Sequence, residues 1–224
     1  MLCKTTNPSR RIAGRQIPLS RIGSGSTILD RALHSLFANL ELRMAMKRQI
    51  NPQVVLKPQD LVVLLKLLIL GDQRRGFAEL AAELSMSASE VHGSVGRSME
   101  ARLIHVTDDE LHVAKVALKQ FLLYGAKYVF PATLGPPTRG VPTASAAPPL
   151  RDQINQPDTE LPPVWPSADG ERRGISFYPL YPSVPQAARK DPVLYETLAL
   201  FDALRAGAAG ERNLAAKLLE ERFA

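Results

Sequence analysis

The residues with the most to offer chemically lie in one short stretch of the chain. On a helical wheel that starts at Ala88 and is carried one residue past Ala101, Val91, Val95, Ser98, Met99 and Arg102 cluster on one side. Ser89, His92, Gly93, Gly96, Arg97 and Glu100 occupy the other. Serine, histidine and arginine carry donors that suit base edges and phosphate oxygens, and glycines let a backbone come close. Each glycine costs a helix roughly 1 kcal/mol against alanine. That cost makes sense where something approaches the face; on a merely solvated helix it would be neutral drift. The expected contact set is Ser87, Ser89, His92, Gly93 and Arg97, with Arg74 and Arg75 on the phosphate backbone of double-stranded DNA.

Three helix patterns and a strand–turn–strand pattern would position this set. The first helix opens at Pro58, which suits a first helical position, and Asp60 places a carboxylate near the positive end of the dipole. Residues 61–70 are apolar nearly all round, so this helix is expected to be buried on most sides, with Gly71 ending it. The second helix runs from about Phe77 to Leu84, with Phe77, Leu80, Ala81 and Leu84 on one face. The turn Ser85-Met86-Ser87 follows, and Ser87 with Glu90 fits a capping box that starts the third helix, about Ala88 to Ala101. Residues 103–106 and 111–113 alternate with period two around an acidic tip, Asp108-Asp109-Glu110. The acidic tip is unfavourable for phosphate contact and suits a purely structural hairpin.

Phe77-Ala-Glu-Leu-Ala, the Leu-Ser-Met-Ser-Ala-Ser-Glu-Val turn at 84–91 and the Ala101-Arg-Leu-Ile ending resemble winged helix-turn-helix bacterial transcription regulators of the broad MarR-like kind. The resemblance covers about 60 of the 224 residues. It implies a major-groove helix, here 88–101, and a dimer. The acidic hairpin tip and Glu100 on the reading face depart from that pattern. They leave a second reading open: a protein-interaction module, such as the antitoxin-like or adaptor half of a two-gene system.

Net charge is +6 and the isoelectric point about 9.6, which suits a polyanionic partner. The excess lies in residues 1–50, with nine basic residues against two acidic ones, rather than in the reading module. Residues 1–27, with Arg10, Arg11, Arg15 and Arg21, have no period and are expected to be a disordered basic arm. Alternatively they precede the true start, with Met44 and Met46 further on. Residues 28–48 read as a helix that packs on a partner subunit or on its own module.

Helix 114–124 follows the hairpin pattern, and Gly125 either ends it or is passed over. Residues 131–190 hold many of the eighteen prolines, which argues against long helices and central strands. Trp165, Phe177, Tyr178 and Tyr181 suggest an extended arm packed over the globular part rather than a free linker. Within it, 135–144 is either a binding loop around Arg139 or a surface loop with a solvated arginine. Asp191 and Pro192 open a C-terminal helical hairpin that ends its first helix near Gly207; Arg205, Arg212 and Arg222 on it face solvent or DNA.

The expected fold is mainly α: a winged helix-turn-helix domain with flanking helices (28–130), the proline-rich arm (131–190) and the helical hairpin (191–224). One cysteine, Cys3, excludes an internal disulfide and a cysteine metal site. His34, His92, His105 and His112 fall in different elements without carboxylates at ligand spacing. Gly23-Ser-Gly25 lacks the lysine of a phosphate-cradling loop. No enzyme, metal or cofactor is therefore expected. The apolar run 61–70 contains Lys66 and is too short to span a membrane, and no secretory signal is visible, so the chain reads as cytoplasmic.

Overall fold

The computed structural model describes residues 55–71, 73, 75–107, 110–154 and 161–223. The basic arm, the helix expected over 28–48, Arg74 and the hairpin tip Asp108-Asp109 lie outside the described residues.

The helix punctuation read from the sequence forms as expected. Helix α1 spans Pro58–Leu70, α2 Phe77–Leu84 and α3 Ala88–Glu100. Gly71 ends α1 at φ 56, a backbone angle that favours glycine. Ser85 turns α2 back in a left-handed conformation, and the Met86 amide donates to the Ala81 carbonyl at 2.9 Å. The Ser87–Glu90 capping box closes both ways: Ser87 Oγ accepts the Glu90 amide at 3.2 Å, and Glu90 Oε2 accepts the Ser87 amide at 2.9 Å. Strands β1 (Ile104–Thr107) and β2 (Glu110–Val113) pair antiparallel, placing His105 opposite His112 with rings stacked 5.6 Å apart.

The wheel predicted one core position wrongly. Arg102 was expected on the inward side, but α3 stops before it and Arg102 takes φ 59, so its exposed side chain no longer follows the helical phase. Ser94 takes an inward place instead, with Val91, Val95 and Ser98.

After the hairpin, α4 (Lys115–Gln120) runs through a π turn at Phe121–Gly125 into α5 (Ala126–Val129). The helix thus passes Gly125 rather than ending there. Leu118, Leu122 and Ala126 stay in the core, whereas Val116 and Tyr124 are exposed.

The proline-rich segment is folded, which corrects the expectation of an arm without central strands. Strand β3 (Leu134–Pro142) lies antiparallel to β4 (Pro163–Pro166) and to β5 (Arg172–Phe177), and β4 and β5 pair in parallel, so the three strands close on themselves. β3 is central yet carries Pro136, Pro137 and Pro142 because its partners are staggered. β5 pairs with 134–140 and β4 with 140–142, and the register shifts between Leu134 and Pro137. Over 134–139 only one edge of β3 is laddered, so a missing proline N–H leaves no buried gap. The tight closure needs Gly140 and Gly174: a Cβ at either would overlap the Trp165 or Pro162 backbone carbonyl.

Helix α6 (Val184–Lys190), α7 (Pro192–Ala206) and α8 (Ala209–Arg222) complete the described chain. Asp191 caps α7, its Oδ1 accepting the Val193 and Leu194 amides at 3.0 Å. Leu194, Leu198, Phe201 and Leu204 of α7 are buried in a core shared with α1, Trp165 and Phe177. The described architecture is mixed α/β, dominated by helix, with two small sheets. Among the described residues no helix is long and apolar enough to cross a membrane.

Candidate nucleic-acid interface

Helix α3 packs against α1 and α2 on its inner side, and only part of the expected contact set lies on its outer side. Ser87 and Ser89 are exposed. Ser87 is committed to the cap, whereas Ser89, two residues further on, has no side-chain hydrogen-bond partner among the described residues. His92 is half-buried and meets the Phe77 ring edge-on at 5.4 Å, which fixes its plane against α2. Gly93 faces the Arg97 side chain, and a Cβ there would lie 3.2 Å from Nη1. A Cβ at Gly96 would meet nothing within 4 Å.

Arg97 is not an outward contact. Its Nε donates to Asp60 Oδ2 at 2.8 Å and its Nη2 to Oδ1 at 2.5 Å, a two-pronged ion pair across the α1–α3 crossing. Asp60 is 0% exposed, and its Oδ2 also accepts the Lys57 amide at 2.8 Å. A buried carboxylate needs a partner, and the guanidinium fork is the group within reach that matches it. Arg75 is exposed but spans Glu79 at 3.0 Å and Glu83 at 3.7 Å, so its charge is largely answered by the helix that follows it, α2.

The chain's own tail reaches this region. Tyr181 donates its hydroxyl to Glu90 Oε1 over the first turn of α3. That hydrogen bond, helped by the Ser87 amide and hydroxyl, holds the Glu90 carboxyl below its ordinary range. Lys190, at the end of α6, donates to the Ala82 carbonyl at 2.6 Å and to Ser85 Oγ at 2.8 Å, directly over the α2–α3 turn. The tail thus braces the turn and the amino end of α3, leaving Ser89, Gly96 and Glu100 outside these contacts. Lys190 is a cation beside the reading helix that sequence reasoning missed, being 105 residues from the turn it covers.

Two further polar clusters hold the frame. Lys66, the charge inside the apolar run, is 6% exposed and bridges Glu83 at 2.6 Å and Asp191 at 2.7 Å, tying α1 to α2 and to the cap of α7. Asp202 of α7 is buried and accepts from Trp165 Nε1 at 2.6 Å, Thr143 Oγ1 at 2.8 Å and Arg205 Nη2 at 2.8 Å. Burial pushes the Asp202 carboxyl up, against the pull of Arg205, Thr143 and Trp165. Arg205 is the partner of this buried acid and also donates to the Phe130 and Tyr178 carbonyls, so it does not face solvent or DNA. Arg222 pairs with Glu196, and Arg212 donates to the Gly207 carbonyl at 2.6 Å.

Among the described residues no group of three or more His, Cys, Asp or Glu side chains could hold a metal ion. Comparison with protein-family models, with curated proteins and with solved structures finds no match to this chain.

Proposed function

We propose that the protein is a DNA-binding transcription regulator of the winged helix-turn-helix kind, acting as a homodimer, in which α3 enters the major groove and β1–β2 form the wing. The observation that carries this reading is the outer strip of α3. Its inner residues are core, while exposed Ser89 and open Gly96 leave a narrow, small-residue ridge. The contact set differs from the sequence expectation. Ser89 and His92 face bases, Gly93 and Gly96 permit close approach, and Lys190 and Arg102 supply phosphate contacts in place of Arg97 and Arg75. The test is fluorescence anisotropy on duplexes from the gene's own upstream region, with Gly96→Leu as the blocking variant. Gly96→Leu extends into open space, so it does not lower the melting temperature while it abolishes binding. Binding that survives in Gly96→Leu removes α3 from the groove.

A specific observation favours the second reading, a protein-interaction module. Tyr124 and Tyr128 are 70% and 75% exposed one helical turn apart, followed by exposed Val129. Co-purification with the product of an adjacent gene, lost in Tyr124→Ser/Tyr128→Ser, would support it. Both readings hold together if the partner binds there while α3 binds DNA.

A further inference from the structure

Arg139 of β3 and Arg173 of β5 are register partners, directly opposite one another on antiparallel strands. Opposite residues in such a pair project from the same face, and like charges placed so repel. Both are exposed, and Arg173 has no ion-pair or hydrogen-bond partner among the described residues. Together with Pro137, Thr138 and Glu171 they line a shallow concavity of about 360 Å³.

Arg139 is held in place from behind. Its Nε donates to the Gly170 carbonyl at 2.5 Å, and its terminal nitrogens have no partner among the described residues. Gly170 itself is pressed against the Gly140 backbone, where a Cβ would overlap, so the turn that anchors Arg139 cannot drift. A pre-aimed guanidinium loses little freedom on binding, which favours a planar, multidentate acceptor. Glu171 is the carboxylate in the concavity, and it cannot neutralise two guanidinium groups.

We propose that Arg139 and Arg173 form a phosphate-binding site on the β3–β5 face, separate from α3 and standing whether or not α3 binds DNA. The unanswered like-charge pair is the signature: an anion between the two guanidinium groups turns a repulsion into two charge-assisted contacts. The phosphate belongs either to a nucleic-acid backbone or to a small free anion.

The experiment uses the full chain and inorganic phosphate, followed by NMR at the arginine Nε–Hε groups. Saturable shifts are expected at Arg139 and Arg173 but not at Arg172, which sits on the opposite strand face across from Gly140. Arg173→Gln, which disturbs no described contact, should weaken phosphate binding about tenfold. Glu171→Gln should tighten it. A short DNA duplex that displaces phosphate identifies the backbone as the source, whereas a duplex that does not identifies a small anion; both outcomes support the site. Non-saturating shifts shared with Arg172, unchanged affinity in Arg173→Gln, or weaker binding in Glu171→Gln would overturn it.

Discussion

Replacing Arg97 by alanine separates a groove-facing arginine from a structural one. The Asp60 carboxylate is fully buried and accepts three hydrogen bonds, two of them from Arg97. Arg97→Ala leaves that charge with the Lys57 amide and the helix dipole. Removing one partner of a buried pair costs about 3–5 kcal/mol. The Arg97 side chain is 23% exposed, so water can enter as it leaves, and the lower end, about 3 kcal/mol, is expected. For a chain of this size that lowers Tm by about 10 °C. Asp60→Asn should cost less, about 1–2 kcal/mol, because the freed guanidinium can swing to solvent. The assay is urea unfolding of wild type, both single variants and the double variant, followed by circular dichroism. The double-mutant cycle should give a coupling of about 2 kcal/mol. If Arg97→Ala unfolds at the wild-type midpoint yet loses DNA affinity, the ion pair is dispensable and Arg97 belongs in the groove after all.

Acid should loosen the Lys66 bridge. Although burial pushes Asp191 up, the Lys66 ammonium and the Leu194 and Val193 amides together hold its carboxyl below the ordinary value. A depressed carboxylate contributes stability that is present above the ordinary value and lost as pH falls through the folded one. The urea midpoint should therefore drop as pH falls below about 5 and go on falling below the ordinary carboxylate range, and Lys66→Met should flatten that drop; an unchanged slope would refute the assignment. Asp202 acts with the opposite sign. Burial raises it, so its ionisation opposes folding at neutral pH, and Asp202→Asn should remove an upward contribution to stability on acidification. Gly140→Ala and Gly96→Ala form a matched pair. The first drives a methyl into the Trp165 carbonyl and should cost more than about 4 kcal/mol; the second meets open space and should gain about 0.5–1 kcal/mol in thermal melts.

The sequence alone determined α1, α2 and α3 to within a residue, the Ser87–Glu90 box and the Asp191-capped hairpin of α7 and α8. These features rest on hydrophobic period, caps and turn chemistry, which act over about four residues and are written locally. Tertiary structure decided where the charges go. Arg97 and Asp60 are 37 residues apart, and Lys66 and Asp191 are 125 apart. On the helical wheel Arg97 sat on the outer face; the wheel cannot show that a neighbouring helix buries a carboxylate within its reach. The closed sheet was hidden for a related reason. Proline frequency measures what a strand loses in hydrogen bonds, but only the stagger of β4 and β5 along β3 shows that those bonds were never needed. Backbone punctuation is local and legible; charge pairing is fixed by distance through space, which the linear order of residues does not contain.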